Sequence, residues 1–313
     1  MKIAILGATS HVAKNLIIGL NREHMLYLYA RSTERVFEFL KNEFISTDQI
    51  EVEAINSFSQ SGLFDTVVNC IGFGTPDKVR NGGADILLVT ELYDNLIIEY
   101  LKKYTGTVYI NFSSGALFGP ACSTAVDKSS EFRLALGDLS SLDAYRVSKL
   151  NAETKHRCLS ELSIVDLRLF SFFSRYIEVE SSYLVTDMLK ALLTGSAFET
   201  SELDIVRDYI HPNDLSSAVL LCAKTHGINR SFDLYSKAPV KKSEIISQFI
   251  KYFGLQVSWV RKMEAKSPTG IKSYYASNNR DANDILGYEP VYTSMEVLIE
   301  ESRAILIRDK ISR

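Results

Sequence analysis

Six short apolar runs, separated by stretches of helical periodicity, occupy the first 170 residues and constrain this chain more than anything else in it. They read Lys2 to Leu6, Met25 to Ala30, Ile50 to Ile55, Thr66 to Ile71, Thr107 to Phe112 and Val165 to Phe170. Strands that alternate with helices do not close as hairpins; they wind into one parallel sheet covered on both faces. A strand buried on both faces loses its polar–apolar alternation, as Thr-Val-Val-Asn-Cys-Ile at 66–71 does. Helices are expected at 32–42, from about Ala84 to Lys103, and around Tyr145, where Leu142, Val147, Leu150 and Leu159 form a stripe. The remainder is less regular. Tyr183 to Leu193 reads as a helix; Pro212-Asn213-Asp214 opens another over Leu215 to Lys224; a strand follows at Ser231 to Tyr235. Helices at Ser243 to Phe253 and about Ser294 to Ile307 close the chain, and a loop is expected over 119–141.

The predicted fold class is therefore α/β, a Rossmann-type doubly wound parallel sheet with a smaller, interleaved C-terminal α/β lobe. The expected division gives 1–171 plus about 204–236 to the parallel-sheet domain, and about 172–203 plus 237–313 to the smaller lobe. Thirty-five basic residues against thirty-eight acidic ones give a formal charge of −3 with no basic stripe, which argues against nucleic acid or an anionic membrane as partner. Met1 runs straight into a strand and no apolar run reaches membrane-spanning length, so a cytoplasmic protein is expected. Cys70, Cys122, Cys158 and Cys222 lack paired spacing and read as reduced, mostly buried thiols. The five histidines are scattered, and no metal site is expected.

Strand carboxyl ends are where an open α/β sheet binds its ligands, and here they carry suggestive chemistry. The first ends in Gly7-Ala-Thr-Ser10-His-Val-Ala13, a tight turn into a helix whose amides suit a pyrophosphate. Ser10 and Ala13 stand where this turn usually has its second and third glycines, so Gly7, Thr9, Ser10, His11 and Val12 are expected cofactor contacts. A serine there crowds the phosphate unless its hydroxyl bonds to it. The second strand ends in Arg31-Ser32 with no acid. An acid would bond the ribose 2′-hydroxyl of NAD, whereas an arginine suits the 2′-phosphate of NADP; a surface arginine at a helix start is the plainer alternative. Cys70, Ile71 and Gly72 end the fourth strand, Phe112 the fifth and Phe170 the sixth, and all five are expected beside the cofactor. The fifth continues into Ser113-Ser114-Gly115, which could equally cap a turn.

Tyr145 and Lys149, four apart, share one face of their helix. A free phenol is protonated at neutral pH, and an adjacent ammonium favours its ionised form, which suits general acid–base work. Among the 16 tyrosines no other has a lysine four positions later.

In this order the motifs resemble the extended short-chain dehydrogenase/reductases, in their nucleotide-sugar epimerase/dehydratase branch, over nearly the whole chain. The family's SSxxVYG is similar to Ser113-Ser-Gly-Ala-Leu-Phe-Gly119, its YxxxK to Tyr145–Lys149, and its LRxFN to Leu167-Arg-Leu-Phe-Ser171. Its RDYIHVxDL is similar to Arg207-Asp-Tyr-Ile-His-Pro-Asn-Asp-Leu215, and its LGWxP to Leu286-Gly-Tyr-Glu-Pro290. The resemblance implies Ser114, Tyr145 and Lys149 as catalytic residues, the last two also touching the cofactor. It implies Ser114, Gly115, Ser171 and Arg207 on the substrate side, with Arg207 on the diphosphate of a nucleotide-sugar. Three positions depart from the pattern: Ser10, Phe118 for tyrosine, and Ser171 for asparagine. No Asp or Glu stands at the end of the fifth strand, where the sugar dehydratases carry an acid pair. The expected cofactor is NADP rather than NAD, and the expected assembly a homodimer. The favoured reaction is reduction of a keto-sugar, most often at C4. Epimerisation is the alternative, and a catalytically silent NADP-binding regulator on the same fold is a further one.

Overall fold

The structure, a computed structural model, describes residues 1–119, 124–135, 137, 139–260 and 273–312. Cys122 and residues 120–123, 136 and 138 of the expected 119–141 loop lie outside the described residues. In chain order the strands are β1 (Lys2–Leu6), β2 (Met25–Ala30), β3 (Ile50–Ala54), β4 (Thr66–Asn69), β5 (Val108–Ser114), β6 (Ile164–Leu169) and β7 (Ser171–Phe172). They continue as β8 (Phe198–Thr200), β9 (Val206–Arg207), β10 (Tyr209–Ile210), β11 (Asn229–Asp233), β12 (Val240–Lys241), β13 (Val257–Trp259) and β14 (Tyr274–Tyr275). The helices are α1 (His11–Leu20), α2 (Thr33–Asn42), α3 (Pro76–Gly82), α4 (Asp85–Lys103) and α5 (Ser141–Cys158). After them come α6 (Leu184–Thr194), α7 (Pro212–Ala223), α8 (Lys242–Phe253), α9 (Asp281–Leu286) and α10 (Ser294–Ser312).

Seven strands form the central sheet in the order β11-β6-β5-β4-β1-β2-β3, every pair parallel. The doubly wound reading is borne out. The strand order reverses direction between β1 and β4, the crevice where such sheets receive a ligand. Because β1, β4 and β5 lie inside the sheet, their side chains are buried almost throughout. Ile3, Ile5, Leu16, Ile17, Val68, Ile110 and Val219 pack one face; Ala4, Leu6, Tyr29, Val67, Ile97 and Tyr109 pack the other. A third apolar cluster is built from Phe173, Met188, Leu189, Phe198, Ile245, Phe249, Val297 and Leu298. Small sheets accompany it, β12-β9-β14 and β13-β8 among them.

Most element ends lie within a residue or two of the sequence reading, for local reasons, while α10 runs five residues past Ile307 to Ser312. β5 runs on through both serines, since Ser113 and Ser114 still pair with Arg168 and Leu169 of β6. β3 stops at Ala54 because a turn of 3₁₀ helix begins at Ile55. α3 was not foreseen; Thr75 caps it by accepting the Lys78 amide, and Pro76 opens it. Of the described cysteines, Cys70 and Cys222 are buried but Cys158 is exposed, because it ends α5 on its solvent side. No helix among the described residues is long and apolar enough to cross a membrane.

Candidate active site

One cleft of about 1580 Å³ runs along the carboxyl ends of β1, β4, β5 and β6 and on toward β8 and β9. At its start Gly7 has φ +79°, where a Cβ would stand 2.9 Å from Ile71 Cγ1 and 3.0 Å from the Cys70 carbonyl. Only glycine fits that left-handed, crowded position. Ser10 follows with an ordinary extended backbone and lines the cleft. It accepts the Ala13 N–H at 3.2 Å and so caps α1. One of the amides a pyrophosphate would use is thereby already occupied. Removing the hydroxyl with Ser10→Gly is expected to tighten dinucleotide binding about 3- to 10-fold, the worth of one such hydrogen bond. The fold should survive, because glycine is nearly as good a cap. Calorimetric titration checks this, and an unchanged or weaker affinity would show that the cap matters more than the freed amide.

Thr9, His11 and Val12 line the same stretch. His11 Nε2 lies 2.7 Å from Ser174 Oγ, which also accepts Asn15 Nδ2 at 2.8 Å. Burial, helped by the Lys14 charge, lowers the imidazole pKa to about 3, so the ring is neutral and ties the turn to the segment after β7. Sequence reasoning missed that link, because Ser174 stands 163 residues away.

At the end of β2, Arg31 is exposed and lines the cleft together with Lys14 and Arg35. Lys14 sits over the Phe39 ring at 5.4 Å, and burial followed by the Arg35 charge lowers its pKa. Among the described residues none of these three cations has a carboxylate ion pair. Ser32 is not a wall residue. It caps α2 through the Arg35 amide and donates to Glu34 Oε2 at 2.8 Å. Glu34 is thus engaged by Ser32 and stays out of the cleft lining.

α5 starts with a reciprocal cap: Ser140 Oγ accepts the Asp143 amide and Asp143 Oδ2 accepts the Ser140 amide. This fixes the helix one turn before Tyr145. Lys149 is buried beneath it; its Nζ donates to Phe112 O at 2.8 Å and lies 5.7 Å from the Tyr145 ring centre. Ser114 Oγ accepts the Ala116 amide at 3.1 Å and lies 3.4 Å from the Tyr275 hydroxyl. It is thus both a turn cap and a cleft group. Gly115 is not a wall residue, since a Cβ there would meet the Phe170 ring at 2.4 Å; its smallness seats that ring. Cys70, Ile71, Gly72, Phe112, Phe170 and Ser171 all border the cleft, and burial pushes the Cys70 thiol well up.

Arg207 reaches the cleft from β9, with Nη1 donating to Val206 O at 2.8 Å and its guanidinium 5.9 Å from the Tyr275 ring. Tyr275 arrives on β14, directly across the pairing from Arg207. Tyr183 and Tyr209 join them; burial raises both pKa values, that of Tyr209 to about 12, so both remain neutral hydroxyls. Tyr183 donates to Gly74 O at 2.8 Å.

Behind the site lies a buried ionic network that no motif advertised. Glu153 accepts from Ser113 at 2.5 Å and holds Arg168, which also binds Asp233. His156 bridges Asp166 at 3.0 Å and Asp94 at 2.7 Å, and Tyr109 connects Asp94 to Asn69 at the end of β4. His211, Glu300 and Glu301 come together as a metal centre would require. Their bonding argues against one. His211 Nδ1 accepts the Asn213 amide, which places the ring proton on Nε2, and Glu301 already accepts three hydrogen bonds from Arg175.

A model of the NAD dependent epimerase/dehydratase family matches residues 3–234. No curated protein sequence matches. Among solved structures, the chain is similar to a UDP-N-acetylglucosamine 4-epimerase from Methanobrevibacter ruminantium in complex with UDP-N-acetylmuramic acid. The TM-score is 0.79 at 16% identity, covering 98% of both chains. A UDP-glucuronic acid 4-epimerase from Bacillus cereus, in complex with UDP-glucuronic acid and NAD, gives 0.78 at 16%, covering 98% of this chain and 100% of that one. A dTDP-glucose 4,6-dehydratase from Bacillus anthracis in complex with NAD gives 0.78 at 15%, covering 99% and 98%. At such identities the likeness speaks for the fold.

Proposed function

The chain belongs to the NAD dependent epimerase/dehydratase family, and from that premise we propose that it is an NADP(H)-dependent oxidoreductase of a nucleotide-linked sugar, working as a keto-sugar reductase. The observation that carries this reading is the meeting of Ser114, Tyr145 and Lys149 on one cleft with the Gly7 turn at one end and Arg207 further along. A single small ligand fills about 300–1000 Å³; at about 1580 Å³ this cleft has room for a dinucleotide and a second ligand. When bound, the nicotinamide supplies the hydride. The protein does the rest. Tyr145 delivers a proton to the sugar oxygen while Lys149, anchored on Phe112 O, compensates the negative charge left on the phenol. Ser114 accepts the Ala116 amide on one lone pair and can turn its proton from the Tyr275 hydroxyl to that same oxygen. Arg207 holds the diphosphate, so that binding energy far from the reacting carbon orients it. Residues of about 172–203 and 237–313 supply the substrate-binding lobe.

Lys14, Arg31 and Arg35 support NADP over NAD, because three cations without carboxylate partners suit a 2′-phosphate. Replacing both Arg31 and Lys14 by alanine is expected to weaken NADP at least about tenfold, the scale of one lost charge-assisted bond, and to leave NAD nearly unchanged. Fluorescence titration of both cofactors checks it; equal losses would place the cations in a structural role.

One observation favours epimerisation as a second reading. Residues 74–78 and 178–183 clasp across the cleft through Lys78–Glu178 at 2.7 Å, Ser182 N–Asp77 at 3.2 Å and Tyr183–Gly74. A cofactor held under that clasp would serve many turnovers, as an epimerase needs. Stoichiometry decides between them: with a 4-keto-sugar nucleotide and NADPH, a reductase consumes one NADPH per product. Isomerised product without net NADPH loss is the epimerase result.

A further inference from the structure

Lys242 is a buried lysine on the cleft wall, 5% exposed, that neither the motifs nor the chemistry above uses. It is the first residue of α8, and its N–H donates to Ile205 O, extending the β12–β9 pairing by one step. Its ammonium donates to Ser201 O at 2.5 Å and to Thr200 Oγ1 at 3.3 Å, both neutral oxygens. A lysine has three N–H donors, so one is left over. Among the described residues no carboxylate touches it. The nearest to influence it, Asp204, is itself occupied by the Ser243 hydroxyl and amide. Burying a cation without a counter-charge is costly, and the first turn of a helix is the wrong end for one. As a mere strut between α8 and β8, an apolar side chain or a neutral hydrogen-bonder would serve better.

The order of groups along the cleft indicates what the lysine meets. Ser114 contacts Tyr275, Tyr275 pairs with Arg207, Arg207 pairs with Val240 across β9–β12, and Lys242 lies two residues further on. A nucleotide-sugar laid along that line has its sugar at Ser114, its diphosphate at Arg207 and its nucleoside at Lys242, Thr200 and Phe198. We propose that Lys242 is a specificity-determining residue of a nucleobase subsite, donating its remaining N–H to the carbonyl oxygen at C4 of a pyrimidine or C6 of a purine. Resting on the nucleotide-sugar reading above, it selects keto bases (uracil, thymine, guanine) over bases that present an amino group at the corresponding edge. An ammonium has no lone pair to accept from cytosine or adenine N–H₂.

The test uses plain nucleoside diphosphates on the full-length protein. Dissociation constants of UDP, dTDP, GDP, CDP and ADP are measured for wild type and for Lys242→Met, with NADP affinity and melting temperature alongside. The wild type should bind the keto set about tenfold or more tighter than CDP and ADP, the scale of one hydrogen bond to a charged group. Lys242→Met should erase that preference, leave NADP affinity alone, and keep or raise the melting temperature, because a costly buried charge is gone. Equal binding of all five diphosphates by the wild type overturns the base subsite and leaves the nucleotide-sugar reading standing. A preference that survives in Lys242→Met, or a lowered melting temperature with the preference intact, overturns it too and makes the lysine a strut. If the folded, NADP-binding wild type binds none of the five, both readings fall together.

Discussion

Tyr145→Phe should lower turnover about 10²–10⁴-fold, the worth of a positioned acid–base group, while leaving melting temperature and cofactor affinity at wild-type values. The structure explains why the loss should be so selective. Among the described residues the Tyr145 hydroxyl bonds to no protein group, so its removal orphans nothing. The helix beneath it is held by the Ser140–Asp143 cap and by Lys149 on Phe112 O, neither of which involves the phenol. Single-turnover rates with a saturating keto-sugar nucleotide and NADPH give the comparison. Near-normal turnover in the variant would mean that the proton comes from another group, with the Tyr275 hydroxyl, 3.4 Å from Ser114 Oγ, next to examine.

The second large effect concerns stability. His156 is fully buried between two carboxylates, and breaking such an arrangement by removing its cation costs about 3–5 kcal/mol. His156→Leu should therefore destabilise the fold by that order, measured by urea denaturation near pH 6. Asp94 would keep Lys155 and Tyr109, and Asp166 would keep Arg157 and Asn111, so the variant should still fold. Burial alone would lower the His156 pKa, but the hydrogen bonds and charges of Asp166 and Asp94 outweigh it and raise it to about 9. In the unfolded chain the ring titrates near 6.5. The stabilisation from its charge is therefore complete below about pH 6.5 and is lost as the pH climbs through about 9. Asp94 works the other way. Although burial opposes it, the bonds and charge of His156 and Lys155 hold its pKa below 3.8, so its share is present above that value and fades on acidification. Wild type should thus lose stability between pH 6.5 and 9, and His156→Leu should show no such decline over that window. A parallel decline in both proteins would assign it to other groups.

How much of this could be read from the chain depends on how local each cause is. The apolar runs and helical stripes specify the sheet, because periodicity and burial on both faces act within a few residues. Gly7, Tyr145 and Lys149 were legible for the same reason: a turn or a spacing of four places them whatever the rest of the chain does. Side chains whose partners are remote were not. Ser10 reads from the sequence as a phosphate contact, and that its oxygen also caps α1 through the Ala13 amide shows only in the fold, as does the placing of Ser32 and Gly115 off the cleft wall as cap and spacer. Lys14 carries no signal in the sequence; only the folded chain sets it over the Phe39 ring, within reach of the Arg35 charge and on the cleft wall. The Asp94–His156–Asp166 bridge spans 62 residues on one side, and a lone histidine in a helix gives no warning of it.

The late arrival of β11 has a consequence for how the molecule is made. That strand, residues 229–233, closes the edge of the sheet by pairing with β6, which ends at Leu169. A ribosome adding about 5–20 residues per second takes roughly three to twelve seconds to cover the stretch between them. Throughout that interval a nascent chain that has already assembled β1 to β6 presents a bare, apolar strand edge to its surroundings. The synthesis rate between codons 170 and 233 therefore sets how long that edge stays unpaired. Silent substitutions that slow translation there should raise the insoluble fraction without altering a single residue.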